Sequence, residues 1–298
     1  MKLIGLDDQK LAIAAAVSRN DHVLLEGEAG TGKTSAAIEA LGDREYYRIP
    51  CDGGFQRETL LGSRAYDGNR TLYEEGILPQ AMREGKPLIM DEINACLADV
   101  LFALHPVLEK PSTLTLPETK ERITPKSGFC VIATMNPSHE YSGTQSLNAA
   151  LYSRFALVIK FPELSGDQFV SALKAHVPKS EDCDILNTAN RIEKIRELRK
   201  TGDLNTRATM REAIACLEYI QAGMPFETAF RFCVAEKFSA SELETLKSNG
   251  IYDNDMPNNM TLAELIEQLE QIATLKTQIE ERDKKLQKLA KLLKDINS

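Results

Sequence analysis

The apolar positions of the chain follow two rhythms that change near residue 162, and the first is an alternation of strands and helices. Positions from Leu6 to Val17 suit a short helix, and Asp21-His22-Val23-Leu24-Leu25-Glu26 reads as a buried strand. A glycine-rich turn then leads into a helix from Lys33 to about Leu41. Tyr46–Ile49, Pro87–Asp91, Phe129–Thr134 and Ala156–Phe161 predict further strands, separated by helical patterns such as Ala95–Leu108. Short apolar runs joined by helices predict a parallel sheet with helices on both faces, an α/β domain over residues 1–162.

After Phe161-Pro162 the strand signals stop. Helical patterns at Asp167–Lys174, Ile185–Lys200, Arg207–Ile220 and Phe226–Phe238 predict a small all-helical domain over 163–247. Gly250, Pro257 and several Asn and Asp residues mark 248–260 as a linker. The segment 261–298 is of another kind. Leu262, Leu265, Leu269 and Ile272 set a heptad rhythm that Leu275, Ile279, Leu286, Leu289, Leu293 and Ile296 resume after a stammer, with Arg282 in one seam position. A continuous helix here would be about 50 Å long. Glutamates crowd its first half and lysines its second, which suits the helix dipole and antiparallel pairing alike. Packing on its own domain and coiled-coil contact with another chain both fit this pattern.

Composition narrows the class. The 298 residues are 43% apolar and 27% charged, enough for a sizeable core. No apolar run reaches the roughly 18 residues that span a bilayer. Asp7 and Asp8 follow the first residues directly, so no secretory leader is expected. The six cysteines contain no C-x-x-C pair, and the four histidines show no metal-ligand spacing. Free thiols and a cytoplasmic location are the expectation. A net charge of −8 lowers the expectation of an open nucleic-acid surface, although a ring can hide a basic pore inside an acidic shell.

The densest chemistry lies at Gly27-Glu28-Ala29-Gly30-Thr31-Gly32-Lys33-Thr34, which matches G-x-x-x-x-G-K-[ST] between a predicted strand and a predicted helix. Its glycines let backbone N–H groups turn toward phosphate oxygens, and the helix N-terminus adds partial positive charge. Lys33 would reach the β- and γ-phosphates of ATP, and the Thr34 hydroxyl would ligate Mg²⁺. Leu88-Ile89-Met90-Asp91-Glu92 delivers an acid pair to a strand's carboxyl end beside that loop. Asp91 would serve the Mg²⁺ shell, and Glu92 would polarise the attacking water. This order of acids points to hydrolysis rather than to a kinase or small GTPase.

With those motifs in place, residues 5–240 resemble the AAA+ ATPases, and within them the MoxR-like group that includes the cobaltochelatase small subunit and the CbbQ-type proteins. Glu75 to Gly85 before Asp91-Glu92-Ile93-Asn94 looks like the lead-in to Walker B, and Leu114 to Thr119 like the hairpin inserted after the following helix. Ala133-Thr134-Met135-Asn136-Pro137 resembles sensor 1, Gly143 to Phe155 the segment with the arginine finger, and Thr206-Arg207-Ala208-Thr209 sensor 2. Three positions depart from the MoxR pattern: Gly32 before Lys33, Ala95 after Asn94, and Ser153 before Arg154.

The resemblance implies a role for each. Asn136 would bond the attacking water or the γ-phosphate. Arg154 would reach the nucleotide of a neighbouring subunit, and Arg207 would contact it from the lid, with Arg211 the rival. A finger in trans implies a closed homo-oligomeric ring, expected to be a hexamer, with the hairpin from Lys110 to Lys126 touching a partner protein. MoxR-like proteins commonly work with a von Willebrand A domain, which would here be a separate polypeptide. The expected function is remodelling of that partner. The alternatives are a McrBC-like nucleic-acid motor, with GTP as a possible fuel, and a nucleotide-gated scaffold. An adjacent A-domain gene favours the first reading and an adjacent nuclease gene the second.

Overall fold

The computed structural model describes residues 5–66, 68, 70–136 and 147–252. The expected coiled-coil segment 261–298, most of the expected linker, and residues 137–146 of the sensor 1 and finger segments lie outside them. The chain divides into two compact units, the first ending at His176 and the second beginning at Val177.

The first unit runs α1 (Asp7–Ser18), β1 (Val23–Gly27), α2 (Lys33–Leu41), β2 (Tyr47–Pro50), α3 (Arg57–Leu61), β3 (Gly62–Tyr66), β4 (Thr71–Glu75) and α4 (Ile77–Glu84). It continues with β5 (Leu88–Asp91), α5 (Ala98–Leu108), β6 (Leu114–Thr115), β7 (Arg122–Ile123), β8 (Val131–Met135), α6 (Ala149–Tyr152), β9 (Leu157–Phe161) and α7 (Gly166–His176). Five strands form one parallel sheet in the order β2-β5-β8-β1-β9. The strands predicted from apolar runs are these five. Val23 to Leu25 and Leu88 to Met90 are fully buried, as strands covered on both faces must be.

The order matters for the site. Strands β5 and β8 fill the gap that the β1-to-β2 crossover leaves, so the carboxyl ends of β1, β8 and β5 lie side by side. Crevices at such switch points are where open α/β sheets bind ligands. Below them, the buried His22 ring braces the opposite end of the sheet: its Nδ1 accepts a hydrogen bond from Val131 N–H at 3.0 Å. Burial depresses its pKa to about 4, so the imidazole is neutral and structural.

Two antiparallel hairpins stand apart from the main sheet, β3–β4 and β6–β7. The second is the hairpin expected from the family resemblance. Ion pairs tie the hairpins to their surroundings: Arg64 to Glu118 at 2.9 Å, and Arg83 of α4 to both Glu75 and Glu121 at 2.8 and 2.6 Å.

The second unit is helical: α8 (Asp182–Thr201), α9 (Met210–Gln221), α10 (Phe226–Cys233) and α11 (Ala240–Ser248). Capping boxes start α9, through Thr209 and Glu212, and α11, through Ser239 and Glu242. The first of these moves a predicted boundary. Apolar spacing suggests a helix from Arg207, but the Thr209 side chain takes the first N–H groups and the helix begins at Met210. Arg191 clamps α8 to α10, with its guanidinium 4.8 and 5.0 Å from the Phe226 and Phe230 rings and in contact with Glu227 at 2.8 and 2.5 Å. Ile251 and Tyr252, at the start of the expected linker, are buried.

Candidate functional site

The loop between β1 and α2 is shaped by two glycines. A Cβ on Gly27 would meet the Phe161 carbonyl oxygen at 2.6 Å, so the close approach of β9 excludes any side chain there. Gly32 precedes α2 with φ 89°, in the left-handed region that favours glycine. It supplies no side-chain cap, so the first N–H groups of α2 keep their capacity for an external acceptor. Thr31 folds back inside the loop, its hydroxyl donating to the Glu28 carbonyl at 2.8 Å.

Lys33 is nearly buried and its ammonium arches over the loop. It donates to the carbonyls of Gly27 and Glu28, both at 2.7 Å, and to Asn136 Oδ1 at 2.9 Å. Asn136 lies just beyond the end of β8, buried, and its own carbonyl accepts from Asn94 Nδ2 at 2.9 Å. Asn94 follows β5, so one hydrogen-bonded path joins the loop lysine to residues after two strands.

Thr34 and Asp91 meet next to it. The Thr34 hydroxyl donates to Asp91 Oδ1 at 2.6 Å. Thr134 on β8 steadies the same end of β5: its hydroxyl donates to Asp91 Oδ1 at 3.4 Å and accepts from Glu92 N–H at 3.1 Å. A hydroxyl and a carboxylate in contact at a helix N-terminus are the hard oxygen donors that Mg²⁺ prefers, so this pair fits the ion. On the other side of Asp91, Arg48 Nε donates to Oδ2 at 2.6 Å.

Glu92 adopts φ 58° and ψ 46°, a left-handed conformation that costs a non-glycine residue roughly 1 kcal/mol. Its side chain is exposed. A strained, exposed acid after a buried strand is an outlier of the kind that clusters at active sites.

The two arginines belong to other elements. Arg154 follows α6 and pairs in its own chain with Glu109, through Nη2 at 2.6 Å and Nε at 2.9 Å, while Nη1 donates to the Ala150 carbonyl. None of these partners belongs to the phosphate loop. Arg207 belongs to the second unit. It precedes α9 by three residues rather than opening it, half-buried, whereas Arg211 is exposed in the first turn. The shared helical face that makes the two rivals in sequence is therefore absent.

Glu242 fixes the backbone before Arg207. Its Oε1 accepts from the N–H groups of Asn205 and Thr206, both at 2.8 Å, and its Oε2 from Thr206 Oγ1 at 2.9 Å and from Ser239. Burial raises this carboxyl, but the donors from Thr206, Ser239 and Asn205 outweigh it and leave the pKa at about 2. A depressed folded-state pKa stabilises the fold fully above the ordinary value of 4.5, and the contribution is lost as pH falls toward 2. Glu242→Gln is expected to lower stability by about 1–3 kcal/mol at pH 7, and by clearly less near pH 3. Urea unfolding at the two pH values checks this; equal losses at both would remove the carboxylate as the anchor.

Arg48, Asn94, Thr134, Glu109 and Glu242 have no role in the sequence reading. Thr134 is recoverable from its place two residues before Asn136. Glu242 is recoverable only as the capping-box partner of Ser239, since its other partners, Thr206 and Asn205, lie 36 and 37 residues away.

Residues 22–155 match the family described as AAA domain, dynein-related subfamily. An uncharacterized protein of Staphylococcus saprophyticus is 32% identical over 225 residues, covering 73% of this chain and 84% of that protein. Another from Staphylococcus haemolyticus is 30% identical over 244 residues, covering 80% and 92%. A crystal structure from Cytophaga hutchinsonii overlays with a TM-score of 0.47 at 20% identity, over 82% of this chain and 73% of that one.

Proposed function

We propose that this chain, which belongs to the AAA domain family in its dynein-related subfamily, hydrolyses ATP and couples that hydrolysis to remodelling of a partner protein. The observation that carries the reading is the convergence of Lys33, Thr34, Asp91 and Asn136 at the adjoining ends of β1, β5 and β8. The loop amides and the α2 N-terminus bind the phosphates, and Lys33 exchanges its carbonyl partners for phosphate oxygens. Thr34 and Asp91 would hold Mg²⁺, which when bound neutralises charge developing on the transferred phosphoryl group. Glu92 takes the proton of the attacking water, and Asn136 orients that water from beside Lys33. Arg154 completes the site of a neighbouring copy in a closed ring, and Arg207 is the candidate sensor 2 residue of the helical unit.

The hairpin β6–β7 is the surface proposed to pass motion to the partner, because Arg83 and Arg64 couple it to the elements around the sheet. The net charge of −8 favours a protein over a nucleic acid as that partner. A separate protein with a von Willebrand A domain remains the leading kind.

Replacing Lys33 by Ala tests the core of the reading. Charge-assisted hydrogen bonds are worth about 1.5–3 kcal/mol each, so ATP affinity is expected to fall roughly 10- to 100-fold. Calorimetric titration reads this directly. Unchanged ATP affinity would take the loop out of the function.

A further inference from the structure

We infer that Arg48 is a counter-ion latch on Asp91, which competes with Mg²⁺ for that carboxylate and so sets the magnesium concentration at which the site takes its nucleotide. The inference deepens the reading above and rests on Asp91 being a metal ligand.

The geometry divides the Asp91 carboxylate between two partners. Oδ1 faces the hydroxyl of Thr34, 2.6 Å away, and Oδ2 faces Arg48 Nε, also 2.6 Å away. Such a length marks a charge-assisted hydrogen bond. The Asp91 side chain is only 13% exposed, so this carboxylate has little water to screen it, whereas Arg48 is 51% exposed along its length. Arg48 is thus held at its head and free along its stem. It can swing off Asp91 without disturbing the core.

The backbone explains why this arginine is the one in reach. β2 pairs with β5 in parallel register, Arg48 beside Ile89 and Pro50 beside Asp91. The Cys51 N–H continues the ladder by donating to the Asp91 carbonyl at 2.8 Å. β2 is the edge strand on this side. Arg48 and Ile89 therefore share one face of the sheet, and Asp91, two residues further along β5, is the diagonal neighbour that Arg48 reaches. Thr34, which donates a neutral hydrogen bond, opposes no cation.

A divalent cation near Asp91 and a guanidinium on Oδ2 are like charges drawn to one carboxylate. Binding one weakens the other, and the coupling is reciprocal. With Arg48 engaged, Asp91 carries less uncompensated charge toward the metal position. Once Mg²⁺ arrives with the triphosphate, Arg48 is the group that must give way. The latch raises the free magnesium concentration at which the site fills.

Arg48→Gln removes the charge and leaves a shorter, neutral polar side chain. The probe is a fluorescent ATP analogue bound to the full chain, titrated with Mg²⁺ from an EDTA-buffered start, so the readout is binding and not turnover. The magnesium midpoint is expected to fall about two- to fivefold in Arg48→Gln, the range of an exposed ion pair, and to stay near the wild-type value in Arg48→Lys. An unchanged or raised midpoint in Arg48→Gln overturns the latch. The same pair of variants in an Asp91→Asn background separates the two readings. There, Asp91→Asn alone should raise the midpoint, and Arg48→Gln should add nothing. If Arg48→Gln still lowers it in that background, Arg48 acts by another route and the latch fails. If Asp91→Asn leaves the midpoint unmoved, the assignment of Asp91 to the metal fails, and the latch with it.

Discussion

Glu92→Gln is expected to cut steady-state ATP turnover by about 10²- to 10⁴-fold while leaving ATP affinity within roughly threefold. The size follows from what the side chain can do at its position. Thr134 pins the Glu92 backbone by accepting from the Glu92 N–H, and the side chain of this left-handed residue is exposed. Glutamine is isosteric and keeps the backbone hydrogen bond, so the loss falls on proton transfer alone. Lys33, Thr34 and Asp91 remain, and with them the phosphate and metal contacts. The variant should therefore accumulate ATP that it does not cleave. Phosphate-release kinetics beside a nucleotide count on the purified protein measure both halves. Turnover within about threefold of the wild type would remove Glu92 as the base and leave the strain at this residue without a catalytic account.

The parts of the molecule legible in the sequence are those where one physical signal dominates. Parallel strands buried on both faces are continuous apolar runs, so Val23-Leu24-Leu25 and Leu88-Ile89-Met90 announce themselves. The phosphate loop is legible because Gly27 and Gly32 answer to backbone constraints that admit little else. The hairpin β3–β4 is not, since Gly62-Ser63-Arg64-Ala65-Tyr66 is half-exposed and carries no clear alternation. Capping chemistry overrode apolar spacing at Thr209, and so moved Arg207 out of α9.

What the sequence could not supply is pairing between distant side chains. The motifs name Asp91, but nothing local says that Arg48, 43 residues earlier, lies on its second oxygen. Likewise Arg154 is conspicuous, while its partner Glu109 is one acid among many. Sheet order makes the first of these contacts and the packing of α5 near α6 the second. Both concern how a charged group is held until it is used, which is a property of the fold and not of a motif.

Arg154→Ala is expected to reduce turnover by about 10³- to 10⁵-fold, the range of arginine fingers, with ATP binding to the isolated chain little changed. The in-chain pair with Glu109 does not oppose this. Its side chains are 26% and 52% exposed, and surface ion pairs of that kind contribute only about 0–1 kcal/mol. Arg154 can leave Glu109 for a phosphate at small cost, and the fold should survive the substitution. The decisive form of the experiment mixes variant and wild-type chains at stepped ratios and measures ATPase rate. If each Arg154 serves the site of the next copy, a single variant chain disables a neighbour that is itself intact. When coordinated firing around a ring is added, activity should fall more steeply than the variant fraction rises. A rate that tracks the wild-type fraction linearly would place Arg154 in its own chain's chemistry or outside it. A fall in the unfolding midpoint matching the fall in rate would assign the residue to its contact with Glu109 instead.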